Sequence, residues 1–119
     1  MIPLTLRVYV GAEEVSRSVE VHEMSTLDLM KVNRYRAELT AHPVEDKDEQ
    51  LLRVFFYPQL KYSTSGEVPT IEEFVGMPGS SSNEWYKAVD ALNPGALPKP
   101  TDGEEPTPAQ VEADLEKKD

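Results

Sequence analysis

The side chains that could support catalysis or bind a metal are few in this sequence. His22 and His42 are the only histidines, and their separation does not match the short spacings that bring two imidazoles to one metal. The chain has no cysteine, which excludes disulfides, thiolate zinc sites and a cysteine nucleophile and fits a reducing compartment. We therefore expect both histidines to be exposed or to cap a helix, and we expect neither a metal nor a cofactor.

Serines and carboxylates occur in short clusters, but the residues around them are not those of a catalytic site. No Gly-x-Ser-x-Gly turn surrounds the serines within 63–65 and 80–82, and no glycine-rich loop precedes a Lys-Ser or Lys-Thr pair. Glu72, Glu73 and the mostly acidic run at 46–49 suit the first turn of a helix, where the helix dipole favours negative charge. We therefore predict that the protein is not an enzyme.

The charge balance restricts the partners. The 119 residues include 22 acids and 12 bases, which gives a net charge of −10 and a pI of about 4.6. Binding to nucleic acid or to an anionic membrane surface requires clustered Lys and Arg, so neither is expected. The N-terminus lacks the features of a signal peptide, and no apolar run approaches the roughly 18 to 20 residues of a membrane span. The expected location is the cytoplasm.

The elements that would position a site begin with two runs in which apolar and mostly polar residues alternate. Residues 4–10 form the first run and residues 15–21 form the second, with Gly11 between them. A period of two on both sides of a short turn predicts an antiparallel β-hairpin. Because an isolated hairpin is only marginally stable in water, its apolar face must be covered by other elements.

A helix is predicted next, over about 26–41. Ser25 or Thr26 can cap it, and the dipeptide His42-Pro43 ends it because the residue before a proline avoids the helical region. The residues that recur at helical spacing are Leu29, Val32, Arg36 and Leu39.

The most apolar stretch, 51–57, fits either a helix or a buried strand. We favour a helix over about 47–57 that Pro58 breaks, because the acidic lead-in suits a helix N-terminus. Residues 61–70 are then interpreted as a loop, followed by a short helix whose capping box is formed by Thr70 and Glu73.

A serine linker at 80–82 is predicted to lead into the last helix of the folded part. Apolar residues at positions 85, 88, 89 and 92 give that helix one apolar face, and Asn93-Pro94-Gly95 ends it. The expected fold is therefore α+β, with an N-terminal antiparallel β-hairpin packed on three or four short helices in one domain from 1 to 95. Residues 96–119 are rich in proline and acids, which predicts a disordered acidic C-terminal tail in which 108–118 match the pattern of a short helix.

Five aromatic residues are candidates for binding a protein partner. Three consecutive aromatics on a helix spread over about 200°, so one packed face is not expected to cover them. The interpretation is that part of this apolar surface is a partner groove or a contact between copies of the chain, whereas the alternative is a core of helices around both segments. The candidates are Phe55, Phe56, Tyr57, Trp85 and Tyr86.

The segment from about 51 to 94 resembles the tail assembly chaperones of long-tailed bacteriophages and prophages. Its order is the apolar stretch Leu51–Pro58, a loop, an acidic helix led by Thr70 and ending at Met77-Pro78, and a helix that closes on Leu92-Asn93. The resemblance implies a non-enzymatic virion-assembly chaperone in the cytoplasm of a bacterial host cell. It implies two protein partners, the long hydrophobic tape measure protein and the tail tube protein. Many members of the family are made in short and extended forms by ribosomal frameshifting.

Two other functions are compatible with the sequence. A hairpin followed directly by a helix also opens the ubiquitin-like β-grasp fold of protein-interaction modules, and in that fold residues 51–57 would be a third strand. The net charge of −10 would also suit an acidic mimic of DNA that inhibits a nucleic-acid enzyme, although the acids are spread between loops and tail.

Overall fold

The computed structural model describes residues 1–97, and it begins with the predicted hairpin. Strand β1 (Ile2–Val10) pairs antiparallel with β2 (Glu13–Val21), and the turn between them places Gly11 at a φ of 65°. A three-residue strand, β3 (Thr64–Gly66), pairs antiparallel with the end of β2, so the sheet order is β1-β2-β3. Sequence analysis interpreted β3 as loop, which is wrong.

The hairpin buries one face and exposes the other. Leu6, Val8, Val19 and Val21 are buried on the inner face, where α4 and α5 cover them. The helices of the structure are α1 (Thr26–Ala41), α2 (Lys47–Leu51), a π-helix (Leu52–Phe56), α3 (Tyr57–Tyr62), α4 (Ile71–Gly76) and α5 (Gly79–Leu92).

Helix α1 has the predicted bounds. Its N-cap is Ser25, whose hydroxyl accepts the Asp28 backbone N–H at 3.1 Å, while the Asp28 carboxylate accepts the Ser25 N–H at 2.9 Å. The helix ends at His42, whose backbone N–H donates to Glu38 O. Both ends are set by local signals, which explains why the sequence pattern located them.

Residues 47–62 form one continuous helical stretch, and the prediction that Pro58 breaks it is wrong. In an α-helix the N–H of residue 58 would bond to the Val54 carbonyl, but proline has no N–H to donate. The stretch widens to a π-helix just before this point, and the Arg36 Nε–H of α1 donates to Val54 O at 3.0 Å. The helix continues because the carbonyl that Pro58 leaves without a helical partner is satisfied from outside.

The C-terminal half confirms one local prediction and corrects another. The Thr70–Glu73 capping box is present with both of its hydrogen bonds, at 3.1 and 3.2 Å. The serines at 80–82 lie inside α5 and do not form a linker, and the Ser81 hydroxyl accepts the backbone N–H of Arg7 on the outer edge of β1 at 2.8 Å. Helix α5 ends at Asn93, as predicted.

The fold is therefore α+β, with an N-terminal antiparallel hairpin packed on four helical segments: α1, 47–62, α4 and α5. Residues 51–57 are helical, so the third strand that a ubiquitin-like fold requires there is absent. The predicted tail helix at 108–118 and the disorder predicted beyond residue 97 lie outside the described residues, and Leu97 itself is buried against the core. No helix within 1–97 has the length and apolar character of a membrane span.

Candidate functional site

The five aromatic residues predicted to bind a partner lie mostly in the core. Phe56, Tyr57 and Trp85 are buried, whereas Phe55 and Tyr86 are partly buried at the edge of the same cluster. The helical stretch at 47–62 contacts α1, α4 and α5, so it is covered from several sides. The expectation that packing cannot cover the three consecutive aromatics is therefore wrong for Phe56 and Tyr57. A role for Phe55 and Tyr86 in binding stays a prediction.

Phe74 of α4 lies at the centre of this aromatic cluster. Its ring centroid is 5.5 Å from that of Tyr57, 6.0 Å from that of Trp85 and 6.3 Å from that of Tyr86. The contacts with Trp85 and Tyr86 are edge-to-face, an arrangement that aromatic pairs favour. The short acidic helix thus contributes the residue that joins 47–62 to α5.

The polar ends of the buried aromatics have partners of their own. The Tyr57 hydroxyl donates to Pro69 O at 2.6 Å, and the Trp85 Nε1–H donates to Thr64 Oγ1 at 2.9 Å. Burial raises the pKa of the Tyr57 phenol well above its usual value, and Tyr35 acts in the same direction. Tyr57 therefore stays protonated at neutral pH and serves the packing of the loop before α4.

The carboxylates that resembled an acid/base pair in the sequence have structural roles. The Glu73 carboxylate accepts a hydrogen bond from Arg17 Nη2 on β2 at 3.0 Å and caps α4. The hydrogen bond from Arg17 lowers the pKa of Glu73, and the backbone N–H of Thr70 lowers it further. Glu72 is largely exposed and lies 3.6 Å from Arg53. The interpretation of this pair as helix-start charges agrees with the geometry.

The histidines and serines are not assembled with other reactive groups. His22 follows β2, and its Nδ1 is 2.9 Å from the Glu23 carbonyl, while His42 caps α1 with its backbone. The buried Ser63 hydroxyl donates to Gln59 O at 2.7 Å in the last turn of α3. Among residues 1–97, no three His, Cys, Asp or Glu side chains are grouped as a metal site would require.

Three of the six large apolar side chains that are exposed within 1–97 lie on α1, and the other three are Met1, Tyr9 and Val10. Only Val32 of this 16-residue helix is fully buried. Leu27, Leu29 and Met30 are 59%, 50% and 56% exposed, so Leu29 does not belong to the packed face as its spacing had suggested. Single exposed apolar residues are common on proteins, but Leu27 and Met30 are three residues apart and so form a small apolar patch on one side of the helix. Leu29, two residues after Leu27, lies on another side of the helix.

A groove runs along α1 toward α3 next to this patch. It has a volume of about 330 Å³ and is lined by Lys31, Arg34, Tyr35, Glu38 and Tyr62. The rings of Tyr35 and Tyr62 meet edge-to-face at 6.1 Å. Burial raises the pKa of Tyr35, with a further contribution from Tyr62. The groove therefore combines two aromatic rings with two cationic side chains and the carboxylate of Glu38.

The Lys61 ammonium completes this arrangement. Its Nζ lies 4.6 Å from the centroid of the Tyr35 ring and 5.3 Å from that of Tyr62, which are cation–π distances. A third cation is thus held beside Lys31 and Arg34 on a protein whose overall charge is strongly negative.

A second depression, of about 430 Å³, lies on the outer face of the sheet. Most of its walls are short polar side chains and backbone. Its lining residues include Thr5, Ser18, Glu20 and Ser65. The shallow form and the single carboxylate give it no arrangement for catalysis or tight binding.

Comparison with protein-family models, with curated proteins and with solved structures finds no match for this chain. Its function must therefore be argued from the surface of the fold. The signal that could have located that surface was present in the sequence, because Leu27, Met30, Lys31 and Arg34 follow one another at spacings of three and four. It was missed because apolar residues on a helix were assigned to its packed face.

Proposed function

We propose that this chain is a non-enzymatic tail assembly chaperone of the bacteriophage type, which binds the tape measure protein and the tail tube protein during virion assembly. The observation that supports the proposal most is the exposed apolar patch of Leu27 and Met30 on α1. A patch that folding leaves in water is stabilised when another chain covers it. The strong negative charge keeps a protein with such a patch dispersed.

The resemblance of residues 51–94 to this family gives separate support. In the fold this segment contains most of the helical stretch at 47–62 together with α4 and α5, and Phe74 and Trp85 join these helices into one unit. The binding surface is assigned to α1, which lies outside the segment that carries the resemblance and contacts it through α3.

The alternative functions receive less support. The ubiquitin-like alternative depended on a strand at 51–57, which is helical. A mimic of DNA needs carboxylates that line a surface, whereas those of Asp28, Asp46 and Glu73 accept backbone N–H groups at helix N-termini. Neither alternative is favoured by a feature of the fold.

Co-expression with fragments of a bacteriophage tape measure protein tests the proposal. The wild-type chain should raise the soluble fraction of the fragment, and the double variant Leu27→Gln/Met30→Gln should not. The control Tyr9→Thr/Val10→Thr changes two apolar residues that are similarly exposed at the hairpin end, so it should act like wild type. Fragments that stay equally insoluble with and without the wild-type chain would refute the function. Full activity of the α1 variant would refute the assignment to α1.

A further inference from the structure

The three cations around the α1–α3 groove lack the carboxylate or carbonyl partners that four of the other six cations within 1–97 have. Within 1–97, no carboxylate forms an ion pair with Lys31, Arg34 or Lys61. The arginines with a carboxylate or carbonyl partner are Arg7, Arg17, Arg36 and Arg53. Among the described residues, Glu38 is the one carboxylate that lines this groove, so three cations around it leave a local excess of positive charge, which attracts a negatively charged segment.

This cationic surface is continuous with the apolar patch. On a helix, residues three and four apart are neighbours, so Leu27 lies next to Met30 and Lys31, and both Met30 and Lys31 lie next to Arg34. Along this side of α1 the apolar Leu27 and Met30 come first, and the basic Lys31 and Arg34 follow them. A ligand that matches the surface therefore presents a few apolar side chains flanked by carboxylates.

The chain leaves the packed body close to this surface. The Asn93 amide accepts the backbone N–H of Met24 at 2.7 Å, which places the end of α5 beside the residues that lead into α1. The Gln59 amide of α3 donates to Ala96 O at 3.0 Å, and Leu97 is buried against the core. Ala96 and Leu97, the last residues that the structure describes, therefore lie close to α3, one of the two elements that form the groove.

The sequence beyond residue 97 contains a segment with the apolar and acidic side chains that match this surface. Thr107 and Pro108 match the N-cap and first position of a helix, and Val111 and Leu115 are spaced so as to share one face of it. Acidic residues flank these two positions at Glu112, Asp114 and Glu116, and Lys117 and Lys118 end the segment, so three acids and two bases give residues 108–118 a net charge of −1.

We propose that residues 108–118 of the same chain dock on α1, with Val111 and Leu115 against Leu27 and Met30 and with the flanking carboxylates beside the three cations. About ten residues separate position 98 from the segment, and an extended chain spans up to roughly 33 Å over that length. The principal extents of the folded body are 40 × 33 × 31 Å, so the linker reaches the surface without strain. An intramolecular ligand also benefits from a high effective concentration.

Docking of this segment does not depend on the chaperone function. If the proposed function also holds, the segment and the tape measure protein compete for Leu27 and Met30, so the free chain covers its own apolar patch. The tail is then a device that limits binding to partners able to displace it.

Paramagnetic relaxation enhancement in the full chain tests the docking. Because the protein has no cysteine, Ala113→Cys gives a single site for a nitroxide label, and position 113 lies opposite the Val111/Leu115 face of the helix. The amide signals of Lys31, Arg34 and Tyr62 should broaden. Those of the hairpin turn at 11–12 should not, because nine-residue strands separate it from the end of the sheet where α1 begins.

Four comparisons make the result specific. Val111→Ser/Leu115→Ser, which changes no residue within 1–97, should abolish the broadening, and so should Lys31→Glu/Arg34→Glu. The control Lys47→Glu/Lys87→Glu adds the same negative charge at exposed positions elsewhere and should preserve it. Raising the ionic strength from about 0.01 M to about 1 M, which shortens the Debye length from roughly 30 Å to roughly 3 Å, should weaken it.

Two results would overturn the proposal. The first is the absence of broadening on α1 in the labelled full chain, or its persistence in the Val111→Ser/Leu115→Ser variant. The second is broadening between two copies of the chain. It would be seen if an isotope-labelled chain without nitroxide lost α1 signals when it was mixed with an unlabelled chain that carries the nitroxide, because the segment on α1 would then come from a second copy. Neither result bears on co-expression with the tape measure protein, so the two proposals fail separately.

Discussion

The hydrogen bond between Trp85 and Thr64 offers a quantitative test of how α5 holds the third strand. The Trp85 Nε1–H donates to Thr64 Oγ1 at 2.9 Å, and the two residues are 0% and 7% exposed. Thr64→Val keeps nearly the same shape but removes the acceptor, which leaves the indole N–H buried without a partner. An unsatisfied buried donor costs about 1–3 kcal/mol of stability.

Thr64→Ser is the matched control, because it keeps the oxygen and removes only the methyl group, at a cost of about 0.8 kcal/mol. Trp85 is the only tryptophan, so its fluorescence during urea unfolding reports directly on this contact. With slopes of roughly 1–3 kcal/mol per M urea, a loss of about 2 kcal/mol moves the midpoint by about 1 M. The reasoning is refuted if the valine variant unfolds at the same urea concentration as the serine variant, or at a higher one.

Two further predictions concern a buried phenol and a glycine. Because burial raises the pKa of Tyr57, the folded protein holds the phenol proton more tightly than the unfolded chain does. The free energy of unfolding should therefore fall as the pH rises above about 10, the usual pKa of tyrosine. In Tyr57→Phe, urea midpoints measured across that pH range should fall less steeply. A Cβ on Gly66, which has a φ of +95°, would lie 2.9 Å from the Ser18 carbonyl oxygen, whereas one on Gly11, at +65°, would meet no atom within 4 Å. Gly66→Ala should therefore lower the melting temperature more than Gly11→Ala does. In Gly11→Ala only the left-handed backbone is unfavourable, at a cost of roughly 1–2 kcal/mol. Equal decreases in melting temperature would contradict the close approach at Gly66.

Features of the fold that depend on neighbouring residues were predictable from the sequence. The period of two in the hairpin, the Ser25–Asp28 cap of α1 and the Thr70–Glu73 capping box act within a few residues, and each was found near the predicted position. Their energies arise from hydrogen bonds and side-chain alternation that do not require the rest of the chain.

Features that depend on distant residues were not predictable in this way. Helix 47–62 continues past Pro58, where Arg36, 18 positions before Val54, donates to the Val54 carbonyl. Strand β3 has the composition of a loop and becomes a strand because β2 offers it an edge. Phe56 and Tyr57 were expected at a surface because the pattern of one helix does not reveal that three other helices surround it.

The way in which α1 is attached explains why its outer surface is free for binding. An amphipathic helix is ordinarily held by its apolar stripe, yet α1 fully buries only Val32. Polar contacts supplement that burial: Arg36 donates to Val54 O, and the Gln50 amide donates to Leu39 O at 3.2 Å. Leu27 and Met30 are therefore not needed to hold the helix in place. Apolar side chains that contribute little to folding and remain in water are most simply explained by binding, which is why both proposals assign their contacts to this helix.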